Sequence, residues 1–246
     1  IIIIALLLFN IHIYRSRKHL QKDEKEMKRL TAIAEEANEI KSRFLANMSY
    51  NIRIPLNNVV GFSQLITDDT GLSEEEKREY SGIIQNNAAE LIQLVNNVLD
   101  LSRLEANMMK FQLQDCNVQE WCSELACLIQ MRSEGSIHLE LETDAGDATI
   151  HTDINRFTQM VSNMLLYPIE CKKRRDVKMK LAYNTEAQNI SCQIANSPLA
   201  DPTFSSQKQF ILQKTCHLFF EHFNGTFRIE EPNERGSVIY FTYPTK

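Results

Sequence analysis

Glycine is scarce. The 246-residue chain holds seven, and none lies between Asp147 and Asn224. A loop that cradles phosphate does so with backbone N–H groups, and glycine is what lets that backbone come close to a ligand. A phosphate loop within that gap would have to form without it. The six cysteines (116, 122, 127, 171, 192 and 216) include no C-x-x-C pair, and no Cys/His cluster has zinc spacing. Scattered thiols of this kind suit a reducing cytosol better than a disulfide framework. An excess of positive charge is also missing: 27 Lys and Arg stand against 32 Asp and Glu, for a net charge of -5. A dedicated nucleic-acid binder needs a basic face, so none is expected here. No long apolar run occurs either. The opening I-I-I-I-A-L-L-L-F is too short for a bilayer, which takes about 20 helical residues. Repeats and low-complexity segments are absent.

What is present is an ordinary globular balance, 43% hydrophobic and 24% charged, in a chain long enough for one or two domains. The apolar opening is followed by basic Arg15, Arg17 and Lys18. Signal peptides carry their basic residues before the apolar run. The order found here suits the inner half of a longer membrane helix, with the basic residues on the cytoplasmic side. Residues 1–14 are therefore expected to end a transmembrane helix, placing the rest at the inner face of the cytoplasmic membrane.

From Met27 the apolar positions Leu30, Ala34, Ala37, Phe44 and Met48 keep heptad spacing, with Lys41 interrupting. This predicts a juxtamembrane coiled coil over 15–40. The pattern continues through Ile52, Val59, Val60, Phe62, Leu65 and Ile66, with a kink expected at Pro55. Residues 68–71 read as a turn. Ser73 with Glu76 forms a capping box that opens a second helix carrying Tyr80, Ile84, Leu91, Leu94, Val98 and Leu101, with polar Asn87 on the seam. The two helices make an antiparallel hairpin over 41–107, and pairing two hairpins into a four-helix bundle buries both stripes. Beyond residue 107 the period changes to two. Strands are expected at 137–141, 177–183, 190–194, 227–229 and 238–243, with helices near 118–131, 154–166 and 208–223. The fold class is α+β: a helical hairpin, then one mixed sheet covered on one face by helices over 108–246.

The stretch K-S-R-F-L-A-N-M-S-Y-N-I-R-I-P-L-N, from Lys41, resembles the F-L-A-N-M-S-H-E-I-R-T-P-L-N signature of two-component sensor histidine kinases. Asp153-Ile-Asn-Arg-Phe-Thr-Gln-Met-Val-Ser-Asn-Met-Leu-Leu is similar to that family's D-x-x-R-x-x-Q-x-x-x-N-L-L, and the closing strand pair from Phe223 also matches. The likeness covers nearly the whole chain. It implies a dimerisation hairpin followed by an ATPase-type α/β sandwich.

The resemblance also shows what has changed. Tyr50 stands where the phosphoacceptor histidine is expected and Asn51 where the adjacent acid is. Neutral imidazole offers a lone pair at pH 7, whereas a phenol, ordinarily near pKa 10, needs a base. An asparagine is no base, and general-base assistance is commonly worth about 10²–10⁴ in rate. Ile54 occupies the position of the residue that orients water for dephosphorylation. Asn163 keeps the first asparagine of N-x-x-x-N, but Tyr167 replaces the Mg²⁺ ligand, and Pro168 is expected to bend or end the helix there. The adenine-contacting D-x-G-x-G becomes Asn196-Ser-Pro-Leu-Ala, and the later glycine loop becomes Ser-Gln-Lys-Gln-Phe-Ile-Leu. Asn163 and Asn196 are the nucleotide-site remnants. The span from Asn196 to Gly225 is also short for the family's mobile lid.

Four failed parts imply a pseudokinase: a membrane-anchored signalling protein needing no cofactor, acting as a homodimer, with a related sensor kinase, or on a response regulator. The family's regulator-docking face falls at Asn57, Asn58, Phe62 and Leu65. The alternatives are an active Mg-ATP-dependent kinase with unusual residues, or a nucleotide-binding switch without transfer. Lys172 to Arg175 read as a solvated turn. His217 and His222, five apart, miss the i, i+4 metal spacing. Trp121 reads as core.

Overall fold

The computed structural model describes residues 2–68, 71–167, 174–201, 207–233 and 236–246. The chain divides into two compact units, residues 1–54 and 55–246. The first is the N-terminal part of α1 (Ile2–Thr67), a helix with Pro55 inside it. In this unit Met27 and Leu30 are exposed, as heptad positions are before a partner covers them. Among the described residues, no helix is long and apolar enough to cross a membrane.

In the second unit, the end of α1 runs antiparallel to α2 (Glu74–Glu105). The capping box forms as expected: Ser73 Oγ accepts from Glu76 N, and the Glu76 carboxylate accepts from Ser73 N at 2.8 Å. Three glutamates in the first turn, Glu74 to Glu76, suit the positive end of the helix dipole. Across the hairpin Phe62 packs on Tyr80, with ring centroids 5.3 Å apart. Asn58 Nδ2 donates to Asn87 Oδ1 at 3.0 Å, and Asn87 Nδ2 donates to Ile83 O at 2.8 Å. The polar seam residue therefore has a specific partner, which fixes the register of the two helices. A second apolar stripe, Ile92, Val95 and Leu99, stays exposed on α2, as do Leu56 and Val60 on α1.

The sandwich begins with β1 (Gln114–Asn117) and α3 (Val118–Ser133), then β2 (Ile137–Asp144), β3 (Thr149–Thr152) and α4 (Ile154–Leu166). It continues with β4 (Arg175–Asn184), β5 (Asn189–Ala195), a 3-10 turn at Pro198–Ala200, α5 (Gln207–His222), β6 (Thr226–Asn233) and β7 (Gly236–Pro244). The five-stranded sheet has the order β2-β4-β5-β7-β6, parallel between β2 and β4 and antiparallel elsewhere. The expected single sheet needs one correction. β1 and β3 form a separate antiparallel pair, four residues long, too short and too polar to signal itself by alternation.

Helix caps follow the sequence closely. Asn117 accepts from Glu120 N at 3.0 Å to start α3, and Asp153 accepts from Arg156 N at 3.1 Å to start α4. On α4 the buried residues Phe157, Met160, Val161, Met164 and Leu165 fall at i, i+3, i+4, i+7 and i+8, one face of a helix laid on the sheet. Phe157 is the centre of the core, with Trp121 at 4.7 Å, Tyr243 at 5.0 Å and Phe220 at 6.0 Å between ring centroids. The Trp121 indole N–H donates to Thr158 Oγ1 at 2.9 Å, which satisfies its one polar group. The five described cysteines are free. Burial pushes the Cys122 thiol up to about 11 and raises those of Cys192 and Cys216 as well.

Candidate functional site

The candidate residues are spread over both units. Tyr50 and Ile54 lie in the first unit with 63% and 46% of their surface exposed, and Asn51 beside them is half-buried. Of the four residues expected at a docking face, Asn57 and Leu65 are exposed on α1. Asn58 and Phe62 turn inward, held by Asn87 and Tyr80.

The two residues expected as nucleotide remnants, Asn163 and Asn196, are on α4 and after β5. Helix α4 stops at Leu166, and Tyr167 is its C-cap with φ −83° and ψ 136°. An extended residue there is what a following proline enforces; Pro168 itself lies outside the described residues, as do Lys172 and Lys173 of the basic run. Tyr167 is half-buried against the core. Asn163, three turns along α4, lines an open groove of about 890 Å³ between α2, α3 and α4, where Gln93, Asn96 and Asn97 face Asn155 and Gln159. Asn196 does not look toward that groove. It sits in the left-handed region at φ 56°, and its Nδ2 donates to Asp176 O at 2.7 Å.

The segment after Asn196 is packed shut. Ser197 Oγ donates to Met164 O at 2.7 Å, tying the segment to α4. Pro198 and Ala200, at the two expected glycine positions, are buried, and Leu199 between them is fully buried in the core. Two amides from α5 then close the turn. Gln209 Nε2 donates to Leu199 O at 2.7 Å and to Asp201 O at 3.0 Å, while Gln213 Nε2 donates to Leu199 O at 2.7 Å. Arg175 pairs with Asp201 at the rim. Backbone carbonyls that a glycine loop leaves open to a ligand are here satisfied by side chains. Sequence reasoning missed Gln209 and Gln213. Gln209 lies in the stretch expected to replace the glycine loop and Gln213 just after it, and their one-turn spacing (i, i+4) was the available signal. Among the described residues, no group of three or more His, Cys, Asp or Glu is placed to hold a metal ion.

Residues 40–107 match the family described as the His Kinase A (phospho-acceptor) domain. The signal transduction histidine-protein kinase BarA of Escherichia coli strain K12 is 30% identical over 72% of this chain and 20% of its own length. The chain spans about a quarter or less of the curated relatives first matched. Among solved structures, the Acinetobacter baumannii histidine kinase AdeS aligns with a TM-score of 0.60 at 16% identity, over 79% of this chain and 96% of that one. Histidine kinase ThkA, solved in complex with response regulator protein TrrA, aligns with a TM-score of 0.59 at 18% identity, over 86% of this chain and 64% of that one. At such identities these structures speak for the fold: a helical hairpin followed by the sandwich of histidine-kinase catalytic domains. Residues 40–107 are thus a hairpin of the His Kinase A (phospho-acceptor) type, and the sandwich behind it has the fold of histidine-kinase catalytic domains.

Proposed function

We propose that this protein signals through protein contacts and no longer transfers phosphoryl groups. It keeps the dimeric frame of a sensor kinase, anchored at the cytoplasmic membrane through the apolar segment at residues 1–14. The observation that carries the reading is the closed turn at 197–201: Leu199 is fully buried and its carbonyl is taken by Gln209 and Gln213. Nucleotide would have to displace two hydrogen bonds and a core side chain to lie there. Tyr50, Asn51 and Tyr167 at the acceptor, base and metal positions agree with it. The exposed stripes Ile92, Val95, Leu99 and Leu56, Val60 support pairing of two hairpins, since an apolar stripe of this length is otherwise left in water. The partner is a second copy or a related sensor kinase, and a response regulator is the third chemistry that the exposed Asn57 and Leu65 would meet.

The test is incubation of the purified chain with labelled ATP and Mg²⁺, read by acid-labile label and by thermal shift. Neither label nor stabilisation is expected. Acid-labile label on a histidine would overturn the proposal. Stabilisation without label would turn it into a nucleotide-binding switch.

A further inference from the structure

The groove between α2, α3 and α4 is lined in an uncommon way. Six of its sixteen residues are Asn or Gln, and two are charged. Exposed helix surface usually carries its polarity as charge, so amides gathered in one concavity need a reason. Among the described residues, no hydrogen bond engages the side chains of Gln93, Asn97, Asn155 or Asn163. Gln159 Oε1 accepts from Arg156 Nη1 at 3.0 Å, the nitrogen that also pairs with Asp100 at 2.6 Å, and Gln159 Nε2 stays free. Ser162 lines the same groove at 4% exposure, and its Oγ has no hydrogen-bond partner. A buried hydroxyl left unpaired is costly, so this one marks a place where a polar group fits.

We infer that this groove is a binding site for an extended peptide segment, read through its main chain. Asn155, Gln159 and Asn163 follow one another at i, i+4 and i+8 on α4, rising about 6 Å per step. Gln93 and Asn97 of α2 repeat that step across the groove. In an extended chain the N–H and C=O of every second residue point to the same edge, at intervals of about 6.6–6.8 Å. A primary amide has both donors and an acceptor, so one side chain can take both groups of one residue. Over the three amides of α4 the two repeats drift apart by only about 1–2 Å, which flexible side chains absorb. From Asn155 to Asn163 is about 12 Å, the length of about four extended residues. A main-chain group lying there also supplies the partner that Ser162 Oγ lacks.

Other ligands fit this lining less well. A nucleobase or sugar is commonly stacked on an aromatic face. Trp121, the aromatic residue of this lining, is 2% exposed, and its ring packs on Phe157. An anion would meet one cation, Arg132, beside the acidic Glu124. These two charges suit the ends of a peptide instead. Glu124 and Arg132 stand eight residues apart on α3, about 12 Å along its axis. Among the described residues neither has an ion-pair partner. They complement a basic and an acidic residue about four positions apart in an extended chain. Small residues between those ends let the amides reach the main chain. The partner is therefore a protein with an extended stretch of that pattern. The site lies apart from the closed turn at 197–201, so it holds whatever becomes of nucleotide.

The experiment is fluorescence anisotropy on the full chain, without nucleotide, using labelled Gly-Ser-Lys-Ala-Ser-Ala-Glu-Ser-Gly and its counterpart with Lys and Glu exchanged. At least one of the two is expected to saturate below about 1 mM. N-methylation of its central Ala-Ser-Ala stretch should weaken binding about 10-fold or more, because main-chain donors are lost. Asn97→Ala with Asn155→Ala should weaken it by a similar factor of about 10. Arg132→Glu should shift the preference by about 10-fold toward a peptide with lysine at both ends, a switch that mere loss of structure would not produce. Asn155 and Arg132 are exposed and Asn97 is half-buried, so these changes leave the core intact. Should the double variant still fail to fold, the N-methylated peptides on the wild-type chain decide. No saturation by either peptide, undiminished binding of the N-methylated one, or an Arg132→Glu chain with unchanged preference would each overturn the site. The labelling test with ATP reads a different property, so phosphoryl transfer and peptide binding stand or fall separately.

Discussion

Restoring the two family glycines, Pro198→Gly with Ala200→Gly, should damage this protein and not awaken it. Ala200 is 7% exposed, so its methyl is worth about 0.8 kcal/mol of burial, and glycine's added backbone freedom costs about another 0.5–1 kcal/mol. Pro198 is buried too. Losing its three ring carbons removes about 2 kcal/mol at the same rate per carbon. Freeing the unfolded chain at that position adds up to about 1 kcal/mol. The total is about 4 kcal/mol, a large share of the roughly 5–15 kcal/mol that holds a domain folded. Urea unfolding followed by the single tryptophan, Trp121, itself 2% exposed, reads this directly. With a slope of about 2–3 kcal/mol per molar, the midpoint should fall by about 1.5–2 M. Thermal scans with and without Mg-ATP should superimpose, because Leu199 and the amides of Gln209 and Gln213 still fill the turn. A double variant within about 1 kcal/mol of wild type, or one newly stabilised by Mg-ATP, would refute the claim that packing has replaced ligand space.

Three further expectations rest on single contacts. Asn58→Leu should cost about 1–2 kcal/mol by stranding Asn87 Oδ1, while Asn58→Leu with Asn87→Leu should cost less than the sum of the two singles; strict additivity in urea titrations would argue against the pair. Alkaline pH should weaken the fold. Burial holds Cys122 neutral up to about 11, and the unfolded thiol ionises from about 9. Stability is therefore full below pH 9 and is lost as pH rises toward 11, by up to about 1.4 kcal/mol per unit per buried thiol; a flat unfolding midpoint between pH 8 and 10.5 would count against this. Gly225→Ala should be among the most damaging small changes, since a Cβ there would lie 2.2 Å from Thr242 O and 3.1 Å from Phe220 O. A loss of at least about 2 kcal/mol is expected, from moving backbone in β7 or at the end of α5, and a circular-dichroism melt unchanged from wild type would contradict it.

What the sequence announced and what it withheld divide along a physical line. Periodicity and caps are local, so the hairpin, the capping box at Ser73 and the three sandwich helices were legible within a residue or two. The end of α4 before Pro168 was legible for the same reason. The β1–β3 pair was not, because two four-residue, mostly polar strands gain their strand character only from each other across the chain. Asn87 stood out on an apolar seam, but its partner Asn58 read as a docking residue, since nothing local tells an inward amide from an outward one.

The candidate site divides likewise. Departures from the family pattern could be read by position: Tyr50, Asn51, Tyr167 and the missing glycines each sit where that pattern has another residue. Gains could not. Gln209 and Gln213 look like any solvated helix residues until the Leu199 carbonyl is placed beside them. Asp100 and Arg156, separated by 56 residues, look like ordinary surface charges until burial joins them. If the site had lost ligand without repacking, glycine-sized gaps and unsatisfied carbonyls would be expected at this turn. Here the carbonyl of Leu199 carries two donors and its side chain lies in the core. On the proposed reading, side chains have taken the place of ligand at this turn, and contact, more than chemistry, is the property to assay first.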